Sequence, residues 1–375
     1  METARFDVIV VGAGIAGAAT AAALSPTHRV ALLEAEEAPG YHTTGRSAAM
    51  WILNYGPPDV QVLTGLSRPF FEQPPAGFTE VPLLRSRPMV YLAPPGQEAL
   101  LHHLVSTGAG VQPLAAADLR RMVPALRPDY ATAAAIERDA FDLDVAAIHG
   151  GFLRQTKAHG GLLVTRSRTQ SIERRQGEWE IRTLLPARLR APVIVNAAGA
   201  WGDEVAAAAG VAPLGLAPCR RTGVIIDPAP WHVAEWPLLG DVAHSWYIRP
   251  EARTRLMATP CDETPVHPHD VQAEELDIAL AIDRMQQAVA IDVRRVERAW
   301  AGLRTFTPDR NLAFGWDAEA PGFMWCVGQG GYGIQTSAAA GQLVAALVAG
   351  RDPGPAARIV ASIDPARFRA RTRAA

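Results

Sequence analysis

The chain has 375 residues, 49% of them hydrophobic, enough to bury one large core or two ordinary ones. Its 36 basic and 38 acidic residues nearly cancel, which removes the electrostatic basis for a nucleic-acid or anionic-membrane partner. A single lysine, Lys157 in "RQTKAHG", excludes a phosphate-binding Gly-Lys-Ser/Thr loop and leaves a pyridoxal Schiff base only that position.

The first predicted element is a βαβ unit, "FDVIVVGAGIAGAATAAALS…RVALLEAE": strand, tight turn, helix, strand. Its apolar run lacks a basic lead, is broken by Gly12, Gly14 and Gly17, and passes into a second strand. It therefore reads as fold and not as a secretory leader. No apolar stretch reaches the roughly 18 uninterrupted residues of a membrane span. The three glycines stand in Gly-x-Gly-x-x-Gly order, for the turn, for close approach to a pyrophosphate and for helix–strand packing. Glu34 closes the next strand, where an acid accepts hydrogen bonds from an adenosine ribose. Together these predict a dinucleotide.

The segment "PGYHTTGRSAAM", residues 39–50, has neither helical nor strand periodicity and reads as an extended loop of small residues. An NAD enzyme usually continues here into further βαβ units. A flavin instead needs a stretch that runs along its ring, and Thr43, Thr44, Gly45 and Ser47 offer amides and hydroxyls for that. Arg46 is positioned to meet the pyrophosphate, or a carboxylate at the end of Glu34's strand. The alternative is a plain surface connector.

Residues from about 55 to 145, rich in proline, predict an α+β insertion. From Leu162 "LLVTRSRTQSI" and "EWEIRTL" read as strands, and "APVIVNAAGAWGDEVAAAAG" as a buried strand and an alanine-rich helix. Residues 216–305 predict sheet, with one amphipathic helix in "DVQAEELDIALAIDRMQQAVA". A last strand, "GFMWCVGQGG", feeds the helix "IQTSAAAGQLVAALVAG", stopped by Gly350 and Pro353. The glycine-rich start of that helix is suited to a flavin, since its positive end can face the charge that grows as the ring accepts hydride. The tail "ARFRARTRAA" reads as a solvated end. Cys219, Cys261 and Cys326 show no Cys-x-x-Cys and no metal-ligand spacing, so neither a disulfide framework nor a metal site is expected, and a reducing cytoplasm fits.

The ordered set "GAGIAGA…LLEAE…PGYHTTGRSAA…VNAAGAWGDE…AGLRTFTPD…GQGGYGIQTSAA" resembles the D-amino-acid oxidase family of flavoproteins, which includes glycine and sarcosine oxidases. The stretches "YGPPDVQVLT", "PPAGF" and "SWYIRP" are most similar to bacterial D-arginine dehydrogenases. The resemblance spans nearly the whole chain. It implies a Rossmann-like FAD-binding domain, discontinuous over 1–54, 146–215 and 306–375. It also implies an α+β substrate domain over 55–145 and 216–305 with a large antiparallel sheet.

By the same resemblance, Arg304 pairs with the substrate carboxylate, for which a planar fork is suited. Arg221 is a second carboxylate contact, with Arg220 as the alternative because neighbours in a strand face opposite ways. Tyr55 and Tyr247 face the substrate, the Gly331 carbonyl accepts from its amine, and the Thr169 main chain meets adenine. Cofactor contacts extend to Ile15, Ala16, Ala35, His42, Ala48, Ala49, Ala198, Gly199, Trp201, Gly302, Gly330, Gly331, Tyr332, Gly333, Ile334 and Gln335.

Three departures are informative. Gly302 stands where covalently flavinylated sarcosine oxidases have cysteine, so the FAD is expected to be non-covalent. Met50 and Met89 replace a histidine and a glutamate of the D-arginine dehydrogenases, which predicts a preference for neutral or apolar side chains over D-arginine. Glu80, in "GFTEVPLL", either swings in to replace the missing acid or stands as a solvated strand residue. The expected activity is oxidative deamination of D-amino acids, with oxygen or a quinone-type acceptor reoxidising the flavin. N-methyl amino acids, a 2-hydroxy acid, or a flavin module without turnover are the alternatives.

Overall fold

All four residues of the strand Val8–Val11 are buried, because the sheet they belong to is covered on both faces. Side chains alternate across a strand, so Val8 and Val10 pack with Ala21, Leu24 and Leu343 on the helical side. Ile9 and Val11 pack on the other side with Ile181, Leu189 and Trp325. The structure, a computed structural model, describes residues 3–184 and 188–372.

This six-stranded sheet runs in the order Leu162–Val164, Val30–Leu33, Val8–Val11, Val193–Asn196, Phe323–Val327, Ala313–Trp316. Its first four pairings are parallel and the last is antiparallel. The helices Ile15–Leu24 and Gly333–Val348 pack together on one face. A four-stranded sheet, in the order Thr3–Arg5, Arg188–Ala191, Glu178–Thr183, Thr169–Arg175, covers the other. The fold is the expected Rossmann-like arrangement.

Some local expectations need correction. The stretch "LLVTRSRTQSI" is two strands in two sheets, broken at Arg166, which adopts φ +54. Ser167 then donates from both its amide and its hydroxyl to the Glu34 carbonyl, which fixes the crossing. As far as residue 372 the tail is not simply solvated, and residues 373–375 lie outside the described residues. The helix Ala366–Thr372 buries Phe368, and Arg369 donates to Asp317 at 2.7 Å. The strand Ala313–Trp316 and the helix Ala357–Ile363 have no counterpart in the sequence reading.

The second large sheet has nine strands, drawn from residues 89–137 and 217–306. It is antiparallel except where Leu238–Asp241 runs parallel to Met89–Ala93. One face is closed by the helix Glu275–Ala288, whose Ala281, Met285 and Ala288 pack with Val224, Ile226 and Leu256. The helix Pro58–Glu72, placed by sequence with the substrate domain, instead buries Val60 and Leu63 in the core of the parallel sheet. It thus lies on the nucleotide side of the proposed boundary.

Candidate active site

One cavity of about 730 Å³ runs from the Gly12 turn to the face of the nine-stranded sheet. Such a volume is in the range of cofactor and ligand sites. Every site residue expected from the sequence borders it except Gly17 and Gly45. Gly17 lies behind the turn, against the Gly12 carbonyl. Gly45 donates its amide to Gly40 inside the loop, so it shapes the loop without lining the cavity.

At the nucleotide end, Gly12 has φ +101, and a Cβ there would meet the Ala197 carbonyl oxygen at 2.5 Å. Only glycine permits this turn. The first-turn amides of the helix Ile15–Leu24 have no acceptor within the helix. Thr44 Oγ1 accepts from the Ile15 amide at 3.0 Å, which leaves its own proton free to donate into the cavity. Glu34 accepts from the amides of Ala13 (3.2 Å) and Glu36 (3.0 Å). Burial pushes its carboxyl up despite those bonds, and two carboxylate oxygens retain further acceptor capacity. A glycine turn, a helix start and a lining acid fit a dinucleotide with its ribose at Glu34.

The loop at 39–50 is a cavity wall, although its polar groups are aimed differently than expected. Thr43 donates to the Leu303 carbonyl at 2.7 Å, and Ser47 donates to the Thr43 carbonyl at 2.7 Å. Arg46 does not reach toward Glu34. It donates to the carbonyls of Val271 (2.8 Å) and Ala301 (3.0 Å) and pairs with Asp270, fastening the loop to the substrate sheet. Gln335 is similarly engaged. Its amide donates to Thr64 Oγ1 at 2.8 Å and contacts the Ile52 and Tyr55 carbonyls, so its side chain is engaged by the protein itself.

At the other end Arg304 is the central feature. Its strand, Val296–Phe306, pairs antiparallel with Ala217–Ile226 so that Arg304 faces Cys219 and Gly302 faces Arg221. Arg221 and Arg304 therefore lie on one sheet face, and Arg220 lies on the other. The contacts agree: Arg220 is held by Asp277 and Glu274, while Arg221 borders the cavity. Arg304 donates to the Tyr55 hydroxyl at 2.8 Å. A Cβ at Gly331 would fall 2.6 Å from the Arg304 Cζ, so glycine there makes room for the guanidinium. Among the described residues Arg304 has no carboxylate within ion-pair distance.

Tyr247 and Cys261 border the same space, and burial raises both above their ordinary values, so they remain protonated. Tyr332, pushed up to about 12 by burial, packs edge-on to Tyr55. Met50 and Met89, both buried, line the side-chain end with Leu238 and Tyr91. Glu80 is exposed and does not border the cavity.

Two features escaped the sequence reading. His244, at φ +57 in a turn capped by Asp241, lines the cavity and packs edge-on to Tyr55. His244 is solvent-exposed within the open cavity, and partial desolvation, helped by Arg221 and Arg304 against Asp241, lowers its pKa. Glu137, 1% exposed, accepts from the amides of Leu53 (3.0 Å) and Asn54 (3.4 Å) and from the Tyr91 hydroxyl (2.9 Å). It pins the segment that carries Tyr55. The one legible signal for these was polarity inside an apolar run, "AAAIE" for Glu137 and "DVAHSW" for His244.

Residues 7–347 match the family described as FAD dependent oxidoreductase (DAO), and the chain belongs to that family. The fold is that of the glycine oxidase from Geobacillus kaustophilus (TM-score 0.84, 23% identity, 96% of this chain and 98% of that one). The L-proline dehydrogenase from P. horikoshii superposes with a TM-score of 0.83 at 18% identity, over 98% and 99% of the two chains. A Bos taurus FAD-dependent oxidoreductase domain-containing protein 1 is 27% identical over 172 residues, 42% of this chain and 35% of that relative. The chain thus matches about a third of the length of that curated relative.

Proposed function

We propose that this FAD-dependent oxidoreductase oxidatively deaminates D-amino acids with uncharged, mainly apolar side chains, using non-covalently bound FAD. Arg304 carries the reading: a cavity-lining guanidinium on Tyr55 with no carboxylate partner among the described residues. Arg304 is half-buried, so its charge is partly desolvated without a counter-ion, and an anionic group of the substrate would supply the missing partner.

Bound FAD supplies the two-electron acceptor. Arg304 would take the substrate carboxylate through two parallel N–H donors, and the Tyr55 hydroxyl, accepting from Arg304, keeps its own proton to donate. Arg221 adds positive potential from the same sheet face. The Gly331 carbonyl is the proposed acceptor for the amine. Tyr247, Tyr332 and Cys261 keep their protons near neutral pH, so they donate or exclude water and are not bases. The amine is therefore best bound neutral, with His244 as a neutral neighbour able to accept a hydrogen bond. The residues contribute mainly position and electrostatics. The product imine, once released, hydrolyses to a 2-oxo acid and ammonia.

Met50, Met89 and Leu238 supply an apolar lining for the substrate side chain, and the D-amino-acid reading rests further on the motif resemblance. The test is anaerobic mixing of the holoprotein with D-Met, D-Leu, D-Phe, D-Arg and D-Asp, the L-isomers, sarcosine and lactate, while following flavin absorbance. Rapid bleaching by apolar D-amino acids is expected. Bleaching confined to L-isomers, N-methyl amino acids or 2-hydroxy acids would overturn the reading.

A further inference from the structure

Three arginines border the substrate end of the cavity, and one acid, Glu263, borders it beside them. Glu263 accepts from Arg221 at 3.0 Å through one carboxylate oxygen and from Arg310 at 2.7 Å through the other. Its position is enforced locally. Cys261 adopts φ +51, and the Asp262 carboxylate is fastened to the Thr222 amide (2.7 Å) and hydroxyl (3.0 Å). The Asp262 carbonyl accepts from Arg221 Nε at 2.8 Å, so Arg221 is gripped by two consecutive residues. Arg310 lies with its guanidinium 3.9 Å from the centre of the Phe306 ring. Arg304, two strand positions from the residue facing Arg221, remains without an acid.

We propose that Glu263 is a built-in counter-ion that sets substrate charge: it occupies the Arg221 and Arg310 donors that a second substrate carboxylate would use, and so excludes acidic side chains. The inference rests on the reading above in one respect, that Arg304 takes the α-carboxylate. Two guanidiniums on one carboxylate form a complete anion site, already filled by the protein itself. A substrate with one carboxylate needs only Arg304. Glu263 and Arg310 are exposed at the rim of the cavity, so a distal carboxylate would meet the Glu263 charge at close range, with water screening part of the repulsion. The Tyr332 hydroxyl is affected by Arg304, Arg310 and Glu263 together, which places all three in one electrostatic neighbourhood.

Glu263→Gln keeps the shape and one acceptor oxygen while removing the charge. The ratio of kcat/KM for D-Glu to that for D-Met should rise at least tenfold over wild type. Adding Arg310→Gln should take most of that gain away. A ratio unchanged within threefold would overturn the proposal, as would a wild-type enzyme that oxidises D-Glu as well as D-Met. Should no amino acid reduce the flavin in either protein, the substrate reading fails while the selector is still measurable. Binding of glutarate against butyrate, followed by perturbation of the flavin spectrum, should then shift at least tenfold toward glutarate in Glu263→Gln, and an unchanged preference refutes it.

Discussion

Replacing Arg304 with Met should damage catalysis and leave the fold intact or firmer, a combination that few other residues of this chain should give. The guanidinium has one hydrogen bond to protein, to Tyr55, and no acid partner among the described residues. A substrate carboxylate entering the variant would be desolvated without a counter-ion. Breaking a buried pair in this way costs about 3–5 kcal/mol. That is roughly two to three and a half powers of ten in kcat/KM. Stability should hold or rise slightly, because a half-buried charge with no acid partner among the described residues is exchanged for a flexible apolar chain of similar length. At about 2.1 cal/mol/K per residue, 375 residues give an unfolding entropy near 0.8 kcal/mol/K. A gain of about 1–2 kcal/mol thus raises Tm by only ~1–3 °C. Steady-state kinetics with D-Met, FAD content and ligand-free Tm are the three measurements. Activity above a tenth of wild type would refute the carboxylate clamp. A large fall in Tm would show that Arg304 is structural.

Acid precipitation should release intact FAD to the supernatant, since Gly302 offers no thiol; flavin in the pellet would contradict this. Met89→Glu should raise kcat/KM for D-Arg relative to D-Met at least tenfold, at some loss of Tm, because Met89 faces Glu137 across the strand pair and the new carboxylate meets an old one. Glu137→Ala should weaken butyrate binding about tenfold at unchanged FAD content, an effect of about 1.4 kcal/mol, whereas Glu137→Gln, keeping an acceptor for the Leu53 and Asn54 amides, should recover most of it; equal losses in both variants would refute the pin. Burial holds His149 below the ordinary value, so as pH falls through about 6.5 the unfolded chain takes up a proton that the fold refuses, and Tm should drop. His149→Gln should flatten that slope, and a wild-type Tm constant between about pH 7 and 5.5 would refute it.

What was legible in the sequence had its cause close by in the chain. Gly12 and Gly14 border the cavity because a strand, a turn and a helix adjoin within ten or so positions, the reach of local pattern. The choice between Arg220 and Arg221 reduced to strand alternation once the partner strand was known, and the register gives it. The Arg46 guanidinium was illegible for the opposite reason. Its partners Asp270, Val271 and Ala301 lie more than two hundred positions downstream, and nothing local distinguishes an arginine aimed at a phosphate from one bolting two sheets together. Glu137 was hidden for the same reason. As the last residue of "AAAIE" it reads as a strand end, yet its acceptors are filled from residues 53, 54 and 91.

These long-range contacts converge on one short segment. Ile52 and Tyr55 are held by Gln335 from the start of the helix Gly333–Val348, and Leu53 and Asn54 by Glu137 from the nine-stranded sheet. Tyr55 extends from this segment to the Arg304 guanidinium. A long side chain such as arginine loses about 2 kcal/mol of rotamer freedom when fixed. Here that loss is incurred on folding, because the partner of Arg304 is itself immobilised from both sides of the cavity. On the proposed function, substrate binding would then draw on a cation already oriented, and more of its binding energy would remain for placing the Cα–H bond. Loosening either hold on residues 52–55 should therefore act on the carboxylate clamp at a distance, without removing any group that touches the substrate.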